Sequence, residues 1–480
     1  MWMSVLAREP ARPAQLRTWP HAWLLAVGTV CFGAFMGQLD ASIVTLTYGP
    51  LGAEFGASLA GVQWVSLSYL LTLTALLVPI GRLSDAHGRK LLYLYGFVVF
   101  TVASAACVLA PTLGWLIAFR VVQGIGAAML QANSVALIST CAPPGRRRAA
   151  LGIQAAAQAL GLALGPTVGG LLVSTLGWRW VFGINVPIGV VAVVAGVFLL
   201  PRTRHRSSTT TWDVTGLLLL VTATTAGLLG LTALSGLTLP GWVAPALFVV
   251  TAAAVLGIVT HSRRFAAPLL DPALLRSRAV AAGLAGAVGG YLILFGPLVL
   301  VPVVLVAAGE SELHAGLVLT ALPAGFALAA TTGERLLPAS WSDRLRCLVG
   351  ALAVVCATGL LVVVPLTPAW LVPMLGLLGL ALGIFTPANN SLVMGLVPAR
   401  TAGTGGGLVN MARSLGTALG VALVTLTLHT GTAESAARTA LAALAAVAVA
   451  LVVSAWLVPV RRPGRDPGCS RPRSARRARC

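Results

Sequence analysis

Fourteen stretches of the chain are long and apolar enough to cross about 30 Å of hydrocarbon as an α-helix rising about 1.5 Å per residue. They fall at 23–47, 59–80, 91–110, 113–140, 149–175 and 181–200, then at 214–235 and 242–260, and then at 280–307, 316–337, 347–366, 370–395, 403–428 and 437–460. No water-exposed core buries apolar text on that scale: 58% of the 480 residues are hydrophobic and 9% are charged, against roughly 25% charged in an ordinary soluble domain. Mean hydropathy is +0.92. Hydrocarbon offers backbone amides no partner, so each crossing segment must satisfy its own hydrogen bonds, which selects helices. The 53 glycines and 28 prolines would weaken soluble helices but suit a packed membrane bundle, where small residues let helices approach. The expected fold is an all-α membrane protein of fourteen transmembrane helices. The first segment follows an Arg-bearing leader, is too long for a signal-peptide core and lacks a cleavage-site pattern, so it is expected to be retained.

The net charge of +20 does not mark a nucleic-acid surface, because its placement follows the segments. With the N-terminus inside, one set of loops and ends holds 28 of the 32 Lys and Arg residues: Arg8 to Arg17, Arg82 to Lys90, Arg146 to Arg148, Arg202 to Arg206, Arg263 to Arg278, Arg335 to Arg346, Arg400 and the tail. The opposite loops hold Arg179 and Arg438 beside Glu54, Glu310, Glu312 and Glu434. Cytoplasmic loops retain positive charge, so both termini are expected in the cytoplasm. Lys90 is the single lysine, which excludes a phosphate-binding loop of the GxxxxGK[ST] kind and with it ATP-driven work by this chain alone. The seven cysteines form no CxxC pair and sit mostly in apolar text, as small membrane hydrophobes. The Arg and Ala bias points to a GC-rich bacterial genome.

The two sets of six segments repeat one another. Gln131-Ala-Asn-Ser134 recurs as Ala388-Asn-Asn-Ser391, and Gln158-Ala-Leu-Gly161-Leu-Ala-Leu-Gly165 recurs as Arg413-Ser-Leu-Gly416-Thr-Ala-Leu-Gly420. Asp85 likewise returns as Asp343, all within a register of 255 to 258 residues. Duplication of a six-helix unit, with a two-helix insertion, gives a leader at 1–22, a first bundle at 23–200 and a linker with two extra helices at 201–279. A second bundle at 280–460 and an Arg-rich tail at 461–480 complete the division. Repeated halves around a midplane site are the organisation of secondary transporters.

The motifs sharpen this. Gly81-Arg-Leu-Ser-Asp85-Ala-His-Gly88-Arg89-Lys90 lies in a loop on the basic side, where two glycines allow a tight turn and Asp85 is placed to accept from an Arg and to cap a neighbouring helix. The loop resembles the GxLaDrxGrk signature of the major facilitator superfamily. That resemblance implies a conformational latch between the halves at Gly81, Arg82, Asp85, Gly88 and Arg89. The second copy, Asp343-Arg-Leu-Arg346, keeps the acid and bases without the glycines. Arg120-Val-Val-Gln-Gly-Ile-Gly126 is similar to the family's RxxQGxGaa, where the Arg assists proton transfer. An Arg inside a span is costly unless paired, facing water or snorkelling. Asp40 is the one acid well inside a span, about 12 Å below its outer end like Arg120 at 1.5 Å per residue, so the two are plausible partners. They are read either as a proton site that charges and discharges as the pair separates, or as a static packing pair. Gln38-Leu-Asp40-Ala-Ser-Ile-Val44 resembles the LDxTIVNVALP text of fourteen-helix drug:proton antiporters, departing from it after Val44.

Gly161-Leu-Ala-Leu-Gly165-Pro166-Thr-Val-Gly169-Gly170 offers a close-packing face and a proline that removes a helix hydrogen bond. It resembles the family motif that marks exporters. Trp178-Arg-Trp-Val-Phe-Gly-Ile-Asn185-Val-Pro-Ile-Gly189 resembles a stretch of the fourteen-helix branch and also reads as an interfacial aromatic belt. The in-span polar residues Gln123, Gln131, Gln154, Gln158, Asn389, Asn390, Asn410 and Arg413 either line a cavity or bridge helices. Taken together, the resemblance implies proton-coupled antiport of small amphipathic drugs or antibiotics, or dedicated export of one metabolite made by the host, from a monomer in a bacterial cytoplasmic membrane. The expected partners are a small-molecule substrate, protons and the bilayer, with no nucleic acid, no metal, and no cofactor beyond the proton gradient. A membrane-embedded transferase would need a catalytic motif on an outer loop, and a sensor would need an appended soluble domain; neither pattern occurs.

Overall fold

The computed structural model describes residues 12–13, 19, 21–143, 145–203, 213–234, 240–265, 268–269, 276–338, 340–428 and 433–457. The Arg-rich tail at 461–480 and nearly all of the leader, including Arg8 and Arg17, lie outside them. The first half comprises α1 (Ala22–Ile43), a 3-10 turn and the short α2 (Tyr48–Phe55), then α3 (Leu59–His87), α4 (Arg89–Val108), α5 (Leu113–Cys141), α6 (Arg147–Thr175), the short α7 (Arg179–Gly183) and α8 (Asn185–Leu199). The inserted pair is α9 (Val214–Leu234) and α10 (Val243–Arg264). The second half comprises α11 (Arg278–Ala307), α12 (Glu312–Leu319), α13 (Ala321–Leu336), α14 (Asp343–Val363), α15 (Pro368–Leu396), α16 (Ala402–Leu428) and α17 (Ala433–Leu457).

Helix starts follow local chemistry. Ser58, Thr112, Ser311 and Ser342 accept hydrogen bonds from the backbone N–H three residues on, satisfying donors that the first turn leaves open. Gly88, at φ +117°, separates α3 from α4 with a backbone that a side chain would strain. Among the described residues thirteen helices are long and apolar enough to cross a membrane. The 29-residue α6, which carries Gln154, Gln158 and the glycine motif, is not among the thirteen and is the helix that the expected count of fourteen adds. The span expected to stop at residue 80 continues as helix to His87, so the Asp85 loop is the last turns of α3 rather than a separate loop.

Each half is bound by the same pairings: α1 packs along α6, and its repeat α11 packs along α16. The halves meet where α3 lies on α16 and where α6 lies on α13 and α15. The inserted α9 packs on α10 and also touches both α3 and α16, so it covers the seam between halves rather than standing apart. Two large hydrophobic cores result. One is centred on Phe326, Leu378, Leu382 and Leu444 of the second half, the other on Tyr69, Tyr93, Phe97 and Phe100 of the first. Every one of these side chains is at most 1% exposed.

Candidate functional site

Asp40 sits near the far end of α1, fully buried, and three side chains from two helices converge on it. Arg120 of α5 donates from Nη1 to Oδ2 at 2.5 Å, while Gln123 of the same helix and Asn185 at the start of α8 donate to Oδ1 at 3.0 and 2.9 Å. Arg120 is also fully buried. Its Nε donates to the Val65 carbonyl at 3.0 Å, its Nη1 is shared with Gln123 Oε1 at 2.6 Å, and its guanidinium lies 4.2 Å from the Tyr69 ring and 5.6 Å from that of Phe182. Gln123 Nε2 extends the chain to Ser104 Oγ at 2.8 Å. The carboxylate thus takes three donors, one of them cationic, and no other acid touches it among the described residues. The sequence pointed to Asp40 and Arg120. It did not point to Asn185, Ser104 or Tyr69, which come from distant segments, although Asn185 stood in a recognised stretch.

The glycine motif holds α1 in this position. A Cβ at Gly161 would lie 2.5 Å from the Phe35 carbonyl oxygen, one at Gly165 would strike Ser42, and one at Gly169 would come 2.6 Å from Ile43. These glycines, four apart, form the groove into which the Asp40-bearing helix settles. Gly170 faces open space. Pro166 lies within the helix, and its side chain is outside the described residues. The second half repeats the device, with Gly416 and Gly420 against the carbonyls of Val288 and Leu292.

A cavity of about 330 Å³ lies between the halves. Its walls include Gln38 and Ala41 of α1, Leu67 to Thr74 of α3, Gln131 of α5, Gln158 of α6, Tyr291 and Phe295 of α11 and Asn410 to Val421 of α16. Leu228, Leu231 and Thr232 of the inserted α9 complete it. Asp40 thus shares its helix with two wall residues while facing the opposite way. Of the polar residues singled out in the sequence, Gln131, Gln158, Asn410 and Arg413 line this cavity. Gln123 belongs to the Asp40 cluster instead, Gln154 donates to Ser134 at 3.2 Å, and Asn389 donates to the Gly283 carbonyl at 2.8 Å, so these bridge helices. Asn390 is buried away from the wall. Gln158 and Arg413, equivalent positions of the two repeats, meet across the halves: Arg413 Nη1 donates to Gln158 Oε1 at 3.0 Å and to Asn410 Oδ1 at 3.1 Å.

The basic face is bolted shut. Asp85 accepts from Arg89 Nε and Nη2 at 3.0 and 2.8 Å, from the backbone N–H groups of Gly403 and Thr404 at 2.7 and 2.8 Å, and from Thr404 Oγ1 at 2.9 Å. It therefore caps the first turn of α16, a helix of the other half, where a carboxylate complements both the open amides and the helix dipole. Arg89 reaches on to the Ala399 carbonyl at 2.5 Å. Gly81 and Gly403 touch backbone to backbone; a Cβ on Gly403 would lie 2.5 Å from the Gly81 carbonyl oxygen. Arg82 lies on the same turn, half-buried and within electrostatic reach of Asp213. The second copy also spans the halves, since Arg148 donates to Asp343 Oδ1 at 2.9 Å, though both side chains keep more water contact. Side-chain pairs on the opposite face, Glu54 with Arg179, Glu310 with His314 and Glu434 with Arg438, each stay within one half. Hydrogen bonds from Arg179 and then Trp178 hold the Glu54 carboxyl below its usual range. At the start of α9, burial raises Asp213, but N–H groups of Leu269 and Gly216 and the His261 ring outweigh it and lower its titration.

Two halves with matching helix pairings, a cavity at their interface and a one-sided set of interlocks define a membrane transporter rather than an enzyme. The chain belongs to the Major Facilitator Superfamily, whose sequence model matches residues 30–421. It is 30% identical to the riboflavin transporter RibZ of Clostridioides difficile, covering 83% of this chain and 87% of that protein. It is 32% identical to the methylenomycin A resistance protein of Bacillus subtilis, over 83% and 86% of the two chains. The crystal structure of the human organic anion transporter MFSD10 has the same fold, with a TM-score of 0.64 at 16% identity, covering 91% of this chain and 99% of that one.

Proposed function

We propose that the protein exports small amphipathic drugs or antibiotics across a bacterial cytoplasmic membrane in exchange for protons entering through Asp40. The basic face is the cytoplasmic one by its Arg content, so the arrangement with that face interlocked is turned outward. The observation that carries the reading is a buried ion pair, Asp40 with Arg120, on a helix whose neighbouring residues Gln38 and Ala41 form the cavity wall. Ionised, Asp40 neutralises Arg120 and fixes α1 against α5. Protonated from outside, it leaves the Arg120 charge uncompensated in a fully buried site, a cost of several kcal/mol that favours any rearrangement re-pairing the cation. Such a rearrangement moves α1, and with it one wall of the cavity. Proton release to the cytoplasm then resets the pair.

A dedicated single-compound exporter is the second reading, favoured by a cavity of about 330 Å³, near the lower end for small-molecule sites, and by relatives named for single antibiotics. Drug-driven proton release from energised everted vesicles distinguishes the readings. Collapse of the pH gradient by several unrelated compounds in wild type, and by none in Asp40→Asn, supports broad antiport. Collapse by one compound supports the dedicated exporter, and equal collapse in both proteins sinks the coupling role of Asp40.

A further inference from the structure

Arg413 is the one charged residue in the wall of the central cavity, among the described residues, and no acid balances it there. It is 3% exposed. Its Nη1 is held by Gln158 of the first half and Asn410 of the second, and its face lies 5.1 Å from the Tyr291 ring. Asn410 is itself fixed, donating to the Gln131 carbonyl at 2.7 Å. The guanidinium is therefore oriented by residues of both halves. Its Nε and Nη2 have no hydrogen-bond partner among the described residues.

Those two nitrogens form the side-on edge of the guanidinium, the edge that grips a two-oxygen anion with parallel N–H donors. The same protein uses this edge on a carboxylate, where Arg89 Nε and Nη2 both donate to Oδ1 of Asp85. Arg413 carries the same edge buried and without a protein partner, beside an apolar wall formed by Leu67, Leu70, Leu71, Leu162, Phe295 and Val421. A lone cation among such residues is costly, and a ligand that supplies a negative charge removes that cost.

We infer that the cargo is an amphipathic organic anion whose carboxylate, or an equivalent planar pair of acidic oxygens, docks on Nε and Nη2 of Arg413. This rests on the efflux reading above and narrows it to a substrate class. Because Gln158 and Arg413 belong to opposite halves, an anion bound there strengthens a junction that must break and reform in each cycle, which ties recognition of charge to the transport movement.

The test uses the full chain in lipid nanodiscs and two probes that share one apolar body, N-dansyl-phenylalanine and its neutral amide. Binding is followed by dansyl fluorescence for wild type, Arg413→Lys and Arg413→Gln, each checked for a single symmetric size-exclusion peak. Wild type is expected to bind the carboxylate at least tenfold more tightly than the amide. Arg413→Gln should erase that ratio, bringing the carboxylate down to the affinity of the amide, and Arg413→Lys should keep part of it, since a point charge lacks the two-pronged edge. Equal affinities in wild type, an unchanged ratio in Arg413→Gln, or equal loss of both probes would each overturn the anion site. Proteoliposomes with an imposed pH gradient separate the two claims. Export of the amide without preference for the carboxylate refutes the inference and leaves efflux standing, whereas no gradient-driven export of any compound refutes the efflux reading itself.

Discussion

Replacing Asp85 by Asn keeps the shape of the side chain and removes its charge, so it isolates what the carboxylate contributes to the closed basic face. Asp85 takes five hydrogen bonds, two from Arg89 and three from the first turn of α16. Hydrogen bonds to a charged group contribute about 1.5–3 kcal/mol against about 0.5–1.5 for neutral ones, and a partly buried charge at a helix end contributes up to ~2 kcal/mol. Because the asparagine retains one acceptor oxygen, a net loss of about 2–3 kcal/mol is expected for the closed state. At about 1.4 kcal/mol per decade, that shifts the closed-to-open ratio roughly 30- to 150-fold. Spin labels at Arg146→Cys and Arg400→Cys, exposed sites on the basic face of either half, report the separation by pulsed electron resonance once the native cysteines are replaced. Wild type should give one short distance and Asp85→Asn a second, longer population. A distribution unchanged within twofold, or an equal effect from Thr404→Ala, which removes one neutral donor, would refute the charge-capping argument.

Gly161→Ala should lower the melting temperature and abolish export together, because its Cβ would lie 2.5 Å from a backbone oxygen that has no rotamer to escape into, an overpacking cost of about 1–3 kcal/mol; a wild-type melting curve would show that the groove has slack. Leu228→Phe, in the inserted helix, should reduce kcat/KM for the largest member of a cargo size series about tenfold and spare the smallest, as pocket-filling changes do; an even effect across the series would remove α9 from the cavity wall. Asp213 titrates below its ordinary value of 3.8, so its stabilisation is fully present above that pH and fades as pH falls through the lower folded value. Asp213→Asn should therefore melt earlier than wild type at pH 7, with the difference shrinking only below about pH 4; a difference that vanishes between pH 7 and pH 5 would place the effect elsewhere.

The fold was legible because hydrocarbon leaves so few choices: apolar runs of span length become helices, and basic residues collect on one face. Asp85 was legible too, since a carboxylate between glycines beside two Arg residues has little use except capping and pairing, although a latch between the halves came from the family resemblance and the capped helix, α16, only from the structure. What stayed hidden was direction. A membrane helix whose exposed face is as apolar as its packed one carries no amphipathic stripe, so nothing in the text separated Gln123, which turns to Asp40, from Gln131, which turns to the cavity. Asn185 reaches Asp40, and Ser104 reaches its partner Gln123, only through packing of segments 145 and 19 positions away. The meeting of Gln158 with Arg413 follows from the pseudo-symmetry of the halves, which the repeat in the sequence announced without giving the depth at which equivalent residues touch.

The account rests on Asp40 carrying the proton while the cavity carries the cargo. The most direct measurement compares two modes of one Asp40→Asn protein in proteoliposomes, using a compound that wild type transports: accumulation driven by a pH gradient, and exchange of labelled for unlabelled compound with no gradient. A permanently neutral side chain should abolish the first and preserve the second, because exchange needs the moving halves without net proton transfer. Gradient-driven accumulation that survives in Asp40→Asn would contradict the account.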